Sequence, residues 1–157
     1  MPGVQRFAVA VAGILLDSQN RVLLIHEAHG ARQYGVPGGL VQDYDTPDEA
    51  LEREFESQTG VTVAVEHVVG VRYRVVGDQS YIVIAYRCRL VSGSARVTSY
   101  GDIDEVNWFD AKKLPSPMSA SIEPAIVAAS LGGKGMVFGE DEGETRRRRV
   151  FRGRRDD

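Results

Sequence analysis

The residues of this chain with the most chemical potential gather between positions 34 and 61. A glycine-rich stretch, Gly35-Val36-Pro37-Gly38-Gly39, runs past Asp45 into a helical segment that carries Arg53 and Glu54. Glu54 is a carboxylate able to take a proton from water or to face a hard cation, which prefers oxygen donors. The carbonyls of Gly38 and Gly39 are further oxygen donors beside it. Tyr34 precedes the loop, where its ring could stack on a base or pack inward. Farther along, Glu105 stands between Asp104 and Val106, with Asp102 close by. Arg72, Arg74 and Arg87 fall on apolar, strand-like segments and could reach phosphates.

The helix that presents Glu54 has clear limits. Thr46 suits the N-cap, Pro47 the first helical position, and Glu49 completes a Thr-x-x-Glu capping box. Ala50, Leu51 and Phe55 form the inward stripe, and Gly60 suits the C-terminal cap. The spacing predicts a helix over 47–59, ~20 Å long at ~1.5 Å per residue. At ~100° per residue, with Glu54 at 0°, Ser57 lies at ~300° and Gln58 at ~40°, so these three share a face. On the same wheel Glu52, Glu56 and Glu49 lie at ~160°, ~200° and ~220°, nearly opposite, and read as a solvated surface stripe. Glu49 and Arg53 are also an i,i+4 pair.

Residues 38–61, GGLVQDYDTPDEALEREFESQTGV, resemble the Nudix box, G-x5-E-x7-R-E-U-x-E-E-x-G-U, where U is a bulky apolar residue. Gly39, Arg53, Glu54, Phe55, Gly60 and Val61 match without insertion or deletion. The flanking GVPGG (35–39) and EVNWF (105–109) resemble the family's entry to the box and a later Glu-x-x-Trp-Phe segment. The resemblance spans roughly residues 5–131 and implies a Nudix-type α/β/α sandwich with a mixed β-sheet. Three positions depart from the box. Asp45 stands where the first glutamate is usual, and Ser57 and Gln58 stand where the paired glutamates are usual.

In the family that glutamate pair, with the glutamate after the arginine, holds divalent metals. The resemblance therefore implies Mg2+ or Mn2+, weakly bound or delivered with the substrate. Glu54 is the leading metal ligand or general base, with Gln58, Gly39 and Asp45 as further metal candidates. Arg53 either supports the neighbouring carboxylate, as in the family, or pairs on the surface. Glu105 matches a position that often supplies a ligand or base. Gly38, Gly39 and Tyr34 are the substrate-binding candidates. The implied reaction is hydrolysis of a pyrophosphate or phosphate-ester bond in a nucleoside diphosphate-linked or related small molecule. It needs a deprotonated water and neutralised phosphate charge, so losing two carboxylates predicts a weakened metal site. The alternative is an inactive Nudix-fold binding or sensor module for a nucleotide or diphosphate ligand. A recruit to non-hydrolytic chemistry, as among the family's isopentenyl-diphosphate isomerases, is a third reading. No proline lies between Pro47 and Pro115, so a marker of some ADP-ribose pyrophosphatases is missing.

The elements around the box must hold it in place. FAVAVAGILLD (7–17) and RVLLIHEA (21–28) read as buried strands joined in a hairpin, and 29–45 as a long functional loop. Residues 61–76 and 79–93 read as strands around a Gly77–Asp78 turn, the second of them central. DEVNWFD (104–110) reads as a strand, AKKLP as a helical turn, and 119–132 as a closing helix whose start lies near Ile122 or Glu123 because of Pro124. Cys88, Trp108 and Phe109 read as core. His26, His29 and His67 show no metal-ligand spacing.

Composition agrees with a single domain. The chain has 157 residues, 43% hydrophobic and 26% charged, with 17 glycines and 6 prolines. No apolar run approaches the ~18–20 residues of a spanning helix, so no membrane role is expected. The first residues lack the basic and apolar regions of a secretory signal, and one cysteine forms no internal disulfide, which together fit a cytoplasmic setting. The expected division is a Nudix-like domain over 1–139 and a charged, Arg-rich, disordered tail over 140–157. That tail holds seven arginines and six carboxylates, leaving 12 basic and 16 acidic residues in the body. An acidic body gives no reason to expect nucleic acid as partner. A small phosphorylated ligand is expected instead, and a homodimer is compatible with the sequence.

Overall fold

The computed structural model describes residues 3–138. The tail expected over 140–157 lies outside them. The chain forms strands β1 (Ala8–Leu15), β2 (Arg21–Glu27), β3 (Tyr34–Gly35) and β4 (Gly38–Leu40), then helix α1 (Pro47–Thr59). Strands β5 (Thr62–Val76), β6 (Gln79–Ser92) and β7 (Ile103–Asp110), helix α2 (Glu123–Ser130) and strand β8 (Met136–Val137) follow. A five-stranded mixed sheet has the order β4-β1-β6-β5-β8, and a three-stranded sheet the order β3-β2-β7.

Two apolar clusters explain why β1 and β2 read as unbroken hydrophobic runs, as strands covered on both faces do. Val11 and Leu15 of β1 and Leu23 of β2 join Leu51 and Phe55 of α1. Their neighbours Ala12, Ile14, Val22 and Leu24 turn the other way, to Ile126 and Ala129 of α2. Side chains alternate across a strand, so each strand serves both helices. The result is the α/β/α sandwich with a mixed sheet that the sequence implied.

The α1 boundaries fall where the caps predicted. Thr46 accepts from the Glu49 backbone, Glu49 reaches back, and Gly60 closes the helix at φ 72°. The helix lies close on β1 because Gly13 leaves room, since a Cβ there would come within 2.8 Å of the Phe55 ring. The β5–β6 hairpin also forms as read, with Val76 opposite Gln79 and Gly77 at φ 60° in the turn. Strand β6 is central, pairing β5 antiparallel and β1 parallel.

Two expectations need correction. Segments 7–17 and 21–28 do not form one ladder: only Leu16 and Val22 bridge, after which β1 enters the large sheet and β2 the small one. Burial on both faces drives the split, because each strand has an apolar set for each helix. The 29–45 loop is not without regular structure, since β3 pairs with β2 and β4 with β1. The helical turn expected over AKKLP is a single hydrogen-bonded turn at 111–113, closed by Lys113 N–H to Asp110 O at 2.9 Å.

Candidate active site

The site is built where α1 meets the edge strand β4. Gly39 lies directly under Glu54: a Cβ on Gly39 would come within 3.3 Å of the Glu54 carboxylate carbon. Gly38 is opposite Ala12 of β1, so close that a Cβ would run into the Val11 carbonyl. Gly38 therefore excludes any larger residue, whereas a methyl on Gly39 would require the Glu54 side chain to give by a few tenths of an ångström.

Gln58, one turn beyond Glu54, closes this junction. Its Nε2 donates to Gly38 O at 2.7 Å and to Glu54 Oε2 at 3.2 Å. Its Oε1 accepts from the Gly38 N–H at 3.2 Å. An edge strand has outward N–H and C=O groups to satisfy, and one carboxamide satisfies both for Gly38. The amide oxygen offered by the sequence as a ligand atom is thus in use by the loop. Ser57 is exposed, and its carbonyl accepts from Thr98 Oγ1 at 2.6 Å.

Asp45 and Arg53 form an ion pair at 2.8 Å. Of the two sequence readings of Arg53, neither a Glu49 pair nor a direct bond to Glu54 is present; its partner is the aspartate at the box's first acidic position. Glu56 is exposed. Glu52 departs from the solvated stripe in which its angle placed it. It is half-buried, and its Oε1 accepts from the Val65 N–H at 3.2 Å. The register of β5 slips between Val65 and His67, and a bulge leaves a backbone group outside the ladder. Sequence angles carry no sign of that bulge.

Glu105 lies on β7 opposite His26 of β2. Tyr34 donates to Glu105 Oε1 at 3.1 Å, and its ring meets His26 at 4.5 Å and Phe109 at 5.4 Å. Burial raises the Tyr34 phenol above its ordinary value, and the Glu105 carboxylate raises it further. Beside this pair, His26 Nδ1 meets Asp104 Oδ1 at 2.6 Å, with Arg32 on the other oxygen at 3.4 Å. The His26 bond holds the Asp104 carboxyl below its ordinary range, outweighing burial. The sequence named Asp104 only as a neighbour of Glu105. The His26 contact depends on strand register, which no local pattern reveals.

The donor set does not fit a cation held by protein alone. Among the described residues no three His, Cys, Asp or Glu side chains come together as a metal group. Glu54 is one carboxylate, Asp45 is paired to Arg53, and an amide N–H group points at the two nearest oxygens. A hard divalent ion takes six or more oxygen ligands and favours charged ones.

A family model described as NUDIX domain matches residues 6–129. The chain belongs to the NUDIX domain family. A MutT-like protein of Streptomyces ambofaciens is 26% identical over 112 residues, covering 71% of this chain and 70% of that protein. An ADP-ribose pyrophosphatase of Methanocaldococcus jannaschii is 31% identical over 110 residues, covering 69% of this chain and 64% of that protein. In structure, a NUDIX hydrolase from Nitrosomonas europaea superposes with a TM-score of 0.72 at 18% identity, over 83% of this chain and 93% of that one. Nudix membership and the activities in these relatives' names support a hydrolase acting on phosphorus anhydrides. Nudix hydrolases generally use divalent metal ions. No helix of the described residues is long and apolar enough to cross a membrane.

Proposed function

We propose that this Nudix chain hydrolyses a pyrophosphate bond in a nucleoside diphosphate-linked or related small molecule, with Glu54 as its central catalytic group. The observation that carries the reading is Glu54 seated on Gly39, at the box position and against bare backbone. A phosphate approaching this loop meets peptide groups and one carboxylate. Glu54 takes the proton of the attacking water. Gly38 and Gly39, lacking side chains, are the substrate-binding positions at which the phosphates come close to the loop. Arg53 acts through Asp45 to fix the entry to α1, and Glu105, with Tyr34 on it, is the second carboxylate. A divalent ion delivered with the substrate would be met by Glu54 and would supply neutralisation of phosphate charge. The cytoplasm is the proposed setting, and a small phosphorylated molecule the proposed partner.

The Gln58 bonds favour a second reading, a module that binds a diphosphate ligand without cleaving it. One experiment separates them. A panel of nucleoside diphosphate compounds is incubated with Mg2+ or Mn2+ and the wild type, Glu54→Gln, or the double variant Ser57→Glu/Gln58→Glu. Turnover by the wild type that falls ~100-fold or more in Glu54→Gln supports the hydrolase, since general-base groups contribute on that order. Turnover by the double variant alone, with ligand-induced stabilisation of the wild type, supports the binding module.

A further inference from the structure

We propose that the Gln58 carboxamide takes the place of a bound cation, cross-linking the Gly38–Gly39 loop to Glu54 so that the site is pre-organised without a metal. The geometry fixes which end of the amide does this. Gly38 O and Glu54 Oε2 are both acceptors, at 2.7 and 3.2 Å from one nitrogen, while Gly38 N–H, a donor, is 3.2 Å from the amide oxygen. Turning the amide over would set oxygen against two oxygens and nitrogen against N–H, losing all three bonds. An NH2 group has two hydrogens, and here each has an acceptor.

That arrangement does electrostatically what a cation would do. Two oxygens, one of them a carboxylate's, are held together by positive charge between them. A glutamate at position 58 has no hydrogen to offer either oxygen when ionised. It would bring a second carboxylate against Glu54 and hold together only with a cation between them. Glutamine is therefore the residue of this length that closes the junction alone. The inner side of edge strand β4 is held by its ladder to β1, and at Gly38 its outer N–H and C=O are both held by this side chain, which ties the loop to α1. Gln58 acts here as a positioning residue, through Glu54 and the loop.

The test needs no turnover, so it stands or falls apart from the hydrolase reading. The full chain, Gln58→Glu and Gln58→Met are melted in EDTA and in millimolar Mn2+. Manganese binding is followed by the loss of the free-ion EPR signal, and exchange of the Gly38 amide hydrogen by NMR. The wild type is expected to show the same melting temperature and Gly38 protection in both solutions. Gln58→Glu should melt several degrees lower in EDTA, bind Mn2+, and recover with it. Gln58→Met should lose Gly38 protection at least tenfold and gain nothing from Mn2+. Should Gln58→Glu fold only with Mn2+ present, that supports the proposal as well. Wild-type protein stabilised at Gly38 by Mn2+ would overturn it. So would a Gln58→Glu protein indifferent to Mn2+, or a Gln58→Met protein with full Gly38 protection.

Discussion

Tyr34 and Glu105 meet across two strands of the small sheet, hydroxyl to carboxylate at 3.1 Å. The bond joins the residue that enters the glycine loop to the acidic residue of β7. Tyr34→Phe keeps the ring contacts with His26 and Phe109 and removes only the bond. It should cost ~1 kcal/mol in denaturant unfolding. A raised phenol pKa stabilises the fold fully below the unfolded value of 10.0 and loses that contribution as pH rises through the folded value. Wild-type stability should therefore fall more than that of Tyr34→Phe above pH 10, as urea titrations across that range would show.

Glu52 and Glu56 look alike in the sequence and should behave differently. Glu52→Ala strands the Val65 N–H and is expected to destabilise by ~1–3 kcal/mol. Glu56→Ala, on an exposed position, should stay within ~0.5 kcal/mol. Paired chemical denaturation curves decide it; equal losses would contradict the bulge-holding role of Glu52.

Gly38→Ala presses a methyl on the Val11 carbonyl, which is backbone, whereas Gly13→Ala presses one on the edge of the Phe55 ring. A side chain can give where a backbone cannot. Both should destabilise, Gly13→Ala by ~1–3 kcal/mol and Gly38→Ala by more, as overpacking does. Thermal melts of the two variants give the ranking.

Cys88 lies buried in β6, where burial above all pushes its thiol from 9.0 up to about 12, with Glu52 and Glu66 adding to the rise. A thiol-specific reagent at pH 8 should label it only after denaturant is added. The same raised value means that its contribution to stability is intact below pH 9 and is lost as pH climbs toward 12. Cys88→Ala should flatten that alkaline decline in a urea series.

Much of this was legible in the residues. The cap pair Thr46 and Glu49, Pro47 and Gly60 fixed α1 because caps are local chemistry. The wheel put Gln58 beside Glu54, and the structure joins them. What local chemistry could not show is what arises between distant segments. Splitting β1 from β2 depends on two helices competing for opposite faces. The Glu52 bond depends on a slipped register thirteen residues away, and Asp45 with Arg53 on the path of the loop. The sense of the Gln58 amide, donating where a ligand oxygen was expected, emerges only once Gly38 sits at a sheet edge.

Strand β1 pairs with β6 in parallel, Ala8 through Leu15 against Tyr81 through Cys88. On a ribosome, then, the first strand emerges long before its neighbour exists. The β5–β6 hairpin zips from its own turn, whereas the β1–β6 ladder waits for residue 88, long after β4 and α1, which also pack on β1, have been made. The Gly39 floor and the Glu54 carboxylate above it leave the ribosome together, and the strand that backs β1 comes last.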